Sequence, residues 1–148
     1  MSVITVNSEH QYDVVIGNDW LSELVSTLYG YSRVAIVFSE TQKESIPKIS
    51  IDSEVHYFPM PDGEAAKSTQ SIAKMWDWLG AAGFTRSDVV VGIGGGTVTD
   101  VAGFLSATWM RGIDWIAVPT TLAGMVDASV GGKTGINSEY GKNLIGAF

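Results

Sequence analysis

The stretch from Asp88 to Thr121, DVVVGIGGGTVTDVAGFLSATWMRGIDWIAVPTT, leaves a chain like this few folds to choose from. Val89, Val90 and Val91 make an unbroken apolar run, the pattern of a strand buried on both faces rather than one turned to water. Gly94-Gly95-Gly96-Thr97 breaks the run, Val98, Val101 and Leu105 follow at helical spacing, and a second strand-like run ends in Pro119-Thr120-Thr121. Doubly buried strands joined through a helix predict parallel pairing. Sheets of that kind place ligands outside the carboxyl ends of their strands.

The preceding residues supply the remaining layers. Ser2 to Asn7 alternates apolar and polar, and Tyr12 to Ile16 is a second strand-like run, so an N-terminal β-hairpin turning at His10-Gln11 is expected. Asn18 or Asp19 offers an N-cap for a helix whose Leu21, Leu24, Val25 and Leu28 share one face, with Gly30 as its stop. Arg33 to Phe38 reads as a buried strand, the segment before Pro47 as a ragged helix, and Val55 to Phe58 as a short strand. From Glu64 the pattern turns helical, and Ile72, Met75, Trp76 and Leu79 form a stripe read as core rather than as a cofactor cage. Gly80 and Gly83 end that helix. The expectation is a single α/β domain over residues 1–148, Rossmann-like, with a parallel-rich sheet, helices on both faces and the N-terminal hairpin.

Three short motifs carry the chemistry. The glycines at 94–96 permit backbone conformations closed to other residues, let a ligand approach the main chain, and precede a helix N-terminus suited to phosphate. They do not form the usual dinucleotide fingerprint, because a glycine would be required at position 97, where Thr97 stands. Gly132-Lys133-Thr134 looks like the end of a P-loop, but its first glycine would fall on Asp127, whose carboxylate would repel phosphate. What remains is Lys133 on a glycine turn, with Asp127 six residues earlier, a carboxylate–ammonium pair able to bind a hydroxylated anion. Asp62-Gly63-Glu64, by itself, reads as a turn with a helix-capping acid.

Totals exclude other classes. A net charge of −7 argues against nucleic acid or an anionic membrane as partner, and without cysteine there is no thiolate chemistry. His10 and His56 stand alone, so no metal site is expected within these residues. No apolar run nears the roughly 20 residues of a spanning helix, and MSVITVNSEH has no leader pattern, so a cytoplasmic location is expected.

Taken in order, PDGEAAKS (61–68), GGGTVTDVAGFLSATWMRGIDWIAVPTTL (94–122), VDASVGGKTGIN (126–137) and GKNLIGAF (141–148) resemble the N-terminal domain of the 3-dehydroquinate synthases. The resemblance implies an NAD- and metal-dependent lyase of the shikimate pathway. Such an enzyme turns a phosphorylated seven-carbon keto acid into 3-dehydroquinate with loss of phosphate.

It further implies that Asp62, Gly63, Glu64 and Lys67 meet the adenosine and nicotinamide-ribose side of NAD. Gly95, Gly96, Thr97, Val98, Thr99 and Asp100 would lie along its pyrophosphate and adjoining ribose, and Thr120 and Thr121 would complete the cleft. Lys133 and Lys142 would face cofactor and substrate, and Lys133, Asp127 and Asn143 would be the catalytic polar set. Two departures stand out: Ser39 replaces a common Asp or Asn, weakening a ribose contact, and Thr99 replaces a common glycine, adding bulk at the helix start.

The family's zinc or cobalt ligands lie in a helical C-terminal domain expected to be absent from this chain, which would be inactive alone. Ile136, Leu144, Ile145 and Phe148 would then be exposed and drive self-association or a homodimer. The alternatives are a related sugar-phosphate cyclase making an inositol-like or valiolone-like ring, an iron-dependent alcohol or glycerol dehydrogenase, and a non-catalytic dinucleotide-binding module.

Overall fold

A computed structural model describes residues 1–8, 11–17 and 19–148. Its centre is a four-stranded parallel sheet of β3 (Arg33–Ser39), β4 (Glu54–Met60), β5 (Val89–Gly94) and β6 (Asp114–Pro119), in the order β4-β3-β5-β6. An antiparallel hairpin of β1 (Ser2–Val6) and β2 (Tyr12–Ile16) precedes it, as expected; the expected turn residue His10 and the alternative cap Asn18 lie outside the described residues. Prolines Pro59 and Pro119 sit on β4 and β6, the two edge strands, where a missing N–H costs no ladder bond.

Side-chain alternation along β3 builds two cores. Val34, Ile36 and Phe38 face the side covered by α1 (Trp20–Thr27), through Leu24 and Leu28, together with Val89, Val91 and Ile93. Ala35 and Val37 face the side covered by α2 (Thr69–Ala81) and α3 (Gly96–Thr108), with Val90 between. Helices therefore lie on both faces. In the α2 stripe Ile72, Met75 and Leu79 are fully buried, and Trp76 and Trp78 pack against the same cluster. Trp76 donates through Nε1 to Thr108 Oγ1 at 3.1 Å, tying α2 to α3.

Several expectations are corrected. The helix read from Glu64 onward begins at Thr69: Gly63–Lys67 forms a separate 3₁₀ turn, and Ser68, not Asp62, caps α2 by accepting from Ser71 N at 3.2 Å. Gly80 lies inside α2, and only Gly83, at φ 71°, supplies the left-handed stop. The ragged helix after β3 is a 3₁₀ turn, Glu40–Ser45.

Beyond Lys133 the chain forms two further strands that the sequence pattern does not announce. Thr134–Ser138 and Gly141–Ala147 form β7 and β8, an antiparallel hairpin packed on α3. Its Ile136 is 2% exposed and belongs to the core, so it is not part of an exposed surface; Leu144, Ile145 and Phe148 are exposed.

Candidate functional site

The sheet order fixes where a ligand belongs. From β3 the chain moves outward to β4 and then returns to the other side of β3 for β5, so the direction of winding reverses between β3 and β5. At that switch point the carboxyl ends of neighbouring strands lead to opposite faces and leave a crevice. A cavity of about 300 Å³ lies there, lined by Ser39, Thr41, Gly63, Gly95–Val98, Thr120 and Thr121 among others.

The glycines at its floor act by size. None of Gly92, Gly94, Gly95 or Gly96 has positive φ, so left-handed backbone is not the reason for them. A Cβ on Gly94 would overlap the Val98 side chain, and one on Gly92 would lie 2.7 Å from Ala102 Cβ. Glycine thus lets α3 sit directly on β5. Gly95 and Gly96 leave the cavity side open: a Cβ there would meet Thr121 Cγ2 at 3.2 Å and Ala128 Cβ at 3.4 Å. No side chain caps α3. Its first-turn N–H groups and the positive end of its dipole are left for an anion.

Thr99, suspected of adding bulk, is fully buried and points its Oγ1 back to Gly96 O at 2.9 Å, away from the cavity. Thr120 N donates to Gly94 O at 2.8 Å, and Thr121 Oγ1 accepts from Gly124 N at 3.1 Å, so both threonines fix the β6 end of the crevice.

The Asp62–Lys67 segment divides between two places. Asp62 accepts hydrogen bonds from Ser39 Oγ and, at 2.8 Å, from Thr41 Oγ1. Those two donors, Ser39 first, hold its carboxyl below the ordinary aspartate range. The Ser39 position is therefore spent on orienting Asp62 at the rim of the cavity. Glu64 and Lys67 turn the other way, toward β8. Lys67, buried, donates to Asp100 Oδ2 at 2.5 Å and to Asn143 Oδ1 at 2.8 Å. Glu64 accepts from Asn137 Nδ2 at 2.5 Å and pairs with Lys142 Nζ at 3.5 Å. The Asn137 bond first, then the Lys142 charge, lower the Glu64 pKa.

A second cavity, about 460 Å³, is lined by Asp100, Asp127, Ala128, Lys133, Thr134, Asn143 and Gly146–Phe148. Gly131 and Gly132, at φ 89° and 69°, make the turn that presents Lys133. Lys133 Nζ lies 3.9 Å from Asp127 Oδ1, both side chains exposed. Asp127 itself sits on a π-helical turn, Gly124–Ala128, a form common at functional positions. The structure thus brings Lys133, Asp127, Asn143 and Asp100 together at one cavity, and places Lys142 beside it on Glu64. Asn137, which joins Glu64 to the hairpin, was missed; nothing local marks it, because its partner is 73 positions away.

Among the described residues no group of three or more His, Cys, Asp or Glu is placed to hold a metal ion. No helix among them is long and apolar enough to cross a membrane.

A parallel sheet with a glycine-lined crevice at its switch point and an uncapped helix N-terminus defines an α/β domain of the dinucleotide-binding kind. The profile of the 3-dehydroquinate synthase N-terminal family matches residues 57–148, and the chain belongs to that family. It is 52% identical over 143 residues to the 3-dehydroquinate synthase of Thermobifida fusca (strain YX), covering 93% of this chain and 39% of that relative. Among solved structures it is similar to 2-deoxy-scyllo-inosose synthase complexed with carbaglucose-6-phosphate, NAD+ and Co2+ (TM-score 0.88, 23% identity, 99% of this chain and 42% of that one), a likeness of fold. It is also similar to ValA, the 2-epi-5-epi-valiolone synthase of Streptomyces hygroscopicus subsp. jinggangensis 5008 with NAD+ and Zn2+ bound (TM-score 0.80, 28% identity, 98% and 42%).

Proposed function

We propose that these residues form the NAD-binding wall of a 3-dehydroquinate synthase. The observation that carries the reading is the crevice between β3 and β5, where the start of an uncapped helix lines one cavity and the lining residues Ser39 and Thr41 hold the Asp62 carboxylate at its rim. The donor set suits a dinucleotide: helix N–H groups for a pyrophosphate, a carboxylate and hydroxyls for ribose. Gly95, Gly96, Thr97 and Val98 would hold the pyrophosphate, Asp62 with Gly63 a ribose, and Thr120 and Thr121 the facing rim. Bound NAD would supply a reversible hydride acceptor.

This chain's own residues do the rest. Lys133 supplies a charge for an anionic substrate, held near Asp127. Asn143 offers an amide at the same cavity, and Lys67 fixes its orientation while neutralising Asp100. A phosphorylated small molecule is the proposed substrate, in a cytoplasmic enzyme.

The metal does not fit the described residues, and we assign its ligands to the part of the family's length that this chain does not match. On that assignment residues 1–148 are one NAD-binding domain without turnover of their own. Exposed Leu144, Ile145 and Phe148 would face that second wall, or a second copy in a homodimer.

Isothermal titration of NAD into the chain tests the central claim. Saturable one-to-one binding is expected; no heat at millimolar NAD would move the reading to a non-catalytic module.

A further inference from the structure

The β7–β8 hairpin is irregular at one place, and that irregularity is where it meets the site. Ile136 pairs with Ile145 and Ser138 with Gly141, so Asn137 alone faces Lys142, Asn143 and Leu144. The extra residues form a bulge, and Asn143 takes φ 54°, a left-handed conformation that asparagine tolerates better than most residues but still at a cost. A bulge of this kind persists only where surrounding contacts hold it. Asn137 makes those contacts in both directions. Its Oδ1 accepts from Asn143 N at 2.9 Å, and its Nδ2 donates to Glu64 Oε2 at 2.5 Å. One side-chain amide thereby ties the bulge to the 3₁₀ turn after β4.

We infer that Asn137 is a positioning residue: it sets the Asn143 and Lys142 bulge against Glu64 and so aligns the second cavity with the first. It acts through its neighbours and lines neither cavity. Each of its two bonds needs a different half of the amide, which is why a carboxylate or an alkyl group of similar size could not replace it. The inference rests on the nucleotide reading only for its consequence; the joint itself is a property of the chain without ligand.

Amide hydrogen exchange at Asn143, resolved by NMR on the 148-residue chain, tests the joint. Asn137→Ala removes the acceptor and is expected to speed Asn143 exchange about fivefold or more, the factor for losing one net hydrogen bond. Asn137→Asp keeps the acceptor but sets a carboxylate against Glu64, and faster exchange is expected there too. Glu64→Gln with Asn137→Asp reverses donor and acceptor, and is expected to bring the rate back to within about twofold of the parent. That rescue separates positioning from general loosening, and it stands even if Asn137→Ala does not fold. Asn143 exchange unchanged in Asn137→Asp, or not restored in the double variant, would overturn the inference. NAD titration of the parent is read separately: its failure would sink the nucleotide reading and leave the joint standing.

Discussion

The two cavities are walled by opposite means. The crevice at Gly94–Gly96 is made by removing side chains: glycine packs α3 onto β5, the helix is 13 residues long, and Val98, Val101, Ala102 and Leu105 are buried beneath it. The cavity beside Lys133 is made by adding charged and amide side chains, nearly all exposed, on a short hairpin and a glycine turn. The first is set by packing, which fails sharply when a methyl is added. The second is set by hydrogen bonds and ion pairs in contact with water, each contributing little to stability. On the proposed reading, recognition of a constant group, a pyrophosphate, suits the rigid wall, and discrimination among substrates suits the adjustable one.

Gly94→Ala is the hardest test of that contrast. The new Cβ would overlap the Val98 side chain, and both flanking elements are fully packed, so neither can yield cheaply. A loss of about 3 kcal/mol is expected in urea denaturation, with NAD affinity falling in any folded remainder. Gly95→Ala, whose Cβ meets Thr121 Cγ2 at 3.2 Å, should cost less stability while still obstructing the cavity. Equal stability losses in the two variants would break the distinction between packing glycine and ligand-facing glycine.

Lys67→Met probes the one place where the polar wall is buried. Lys67 is 6% exposed and holds Asp100 at 2.5 Å. Removing it strands a mostly buried carboxylate, and about 2 kcal/mol should be lost. Lys67→Met with Asp100→Asn should recover most of it. Should the single variant prove neutral, Lys67 contributes no more than a solvated cation, and Ile136 rather than a buried ion pair anchors the hairpin.

How far the sequence reveals these walls follows from how each is made. The sheet, its burial and the helix after it are legible because Val89–Val91 and the Val98, Val101, Leu105 spacing are local patterns. The place of the glycine turn is legible as well, although its reason is not. Three glycines in a row suggest unusual backbone, whereas the φ values are ordinary and the cause is the approach of Val98 and Ala102.

The hairpin is obscured because TGINS and GKNLIGA are short, glycine-bearing and without apolar alternation. Its register comes from long-range bonds to Glu64 and Lys67 that no window of sequence contains. Ile136 looks exposed from sequence for the same reason: without a visible strand pattern there, its face toward α3 has no signature. The Asp62 turn reads as a cap because acids usually take that role, yet Ser39 and Thr41, at and just past the end of the neighbouring strand β3, claim the carboxylate.

A smaller effect separates the rim from the floor. Asp62 is ionised more readily in the folded chain than in the unfolded one, so whatever it adds to stability is present above the ordinary aspartate range and is lost as pH falls through its lowered folded value. Ser39→Ala removes the first of its two hydroxyl donors. The Asp62 midpoint, followed by carbon NMR, should move up toward the ordinary range, with little change in stability at neutral pH. An unmoved midpoint would mean Thr41 alone orients the carboxylate.

Lys133→Ala should leave the fold almost untouched. Its ammonium is exposed, 3.9 Å from an equally exposed Asp127, and a pair of that kind contributes from nothing to about 1 kcal/mol. A denaturation midpoint close to the parent's is therefore expected. Ligand binding should respond differently, because Lys133 is the cation lining a cavity that also presents Asp100 and Asp127. Lys67 already neutralises Asp100, so without Lys133 the Asp127 carboxylate is left unbalanced and repels an incoming anion. Titration with inorganic pyrophosphate, read by phosphorus NMR, should show the parent binding in a salt-dependent way and the variant not binding at the second cavity. Glycine-turn binding at the first cavity should survive, since it relies on helix N–H groups. Loss of both together would mean that the two walls are one site, electrostatically as well as spatially. Loss of neither would reduce Lys133 to a solvated surface lysine.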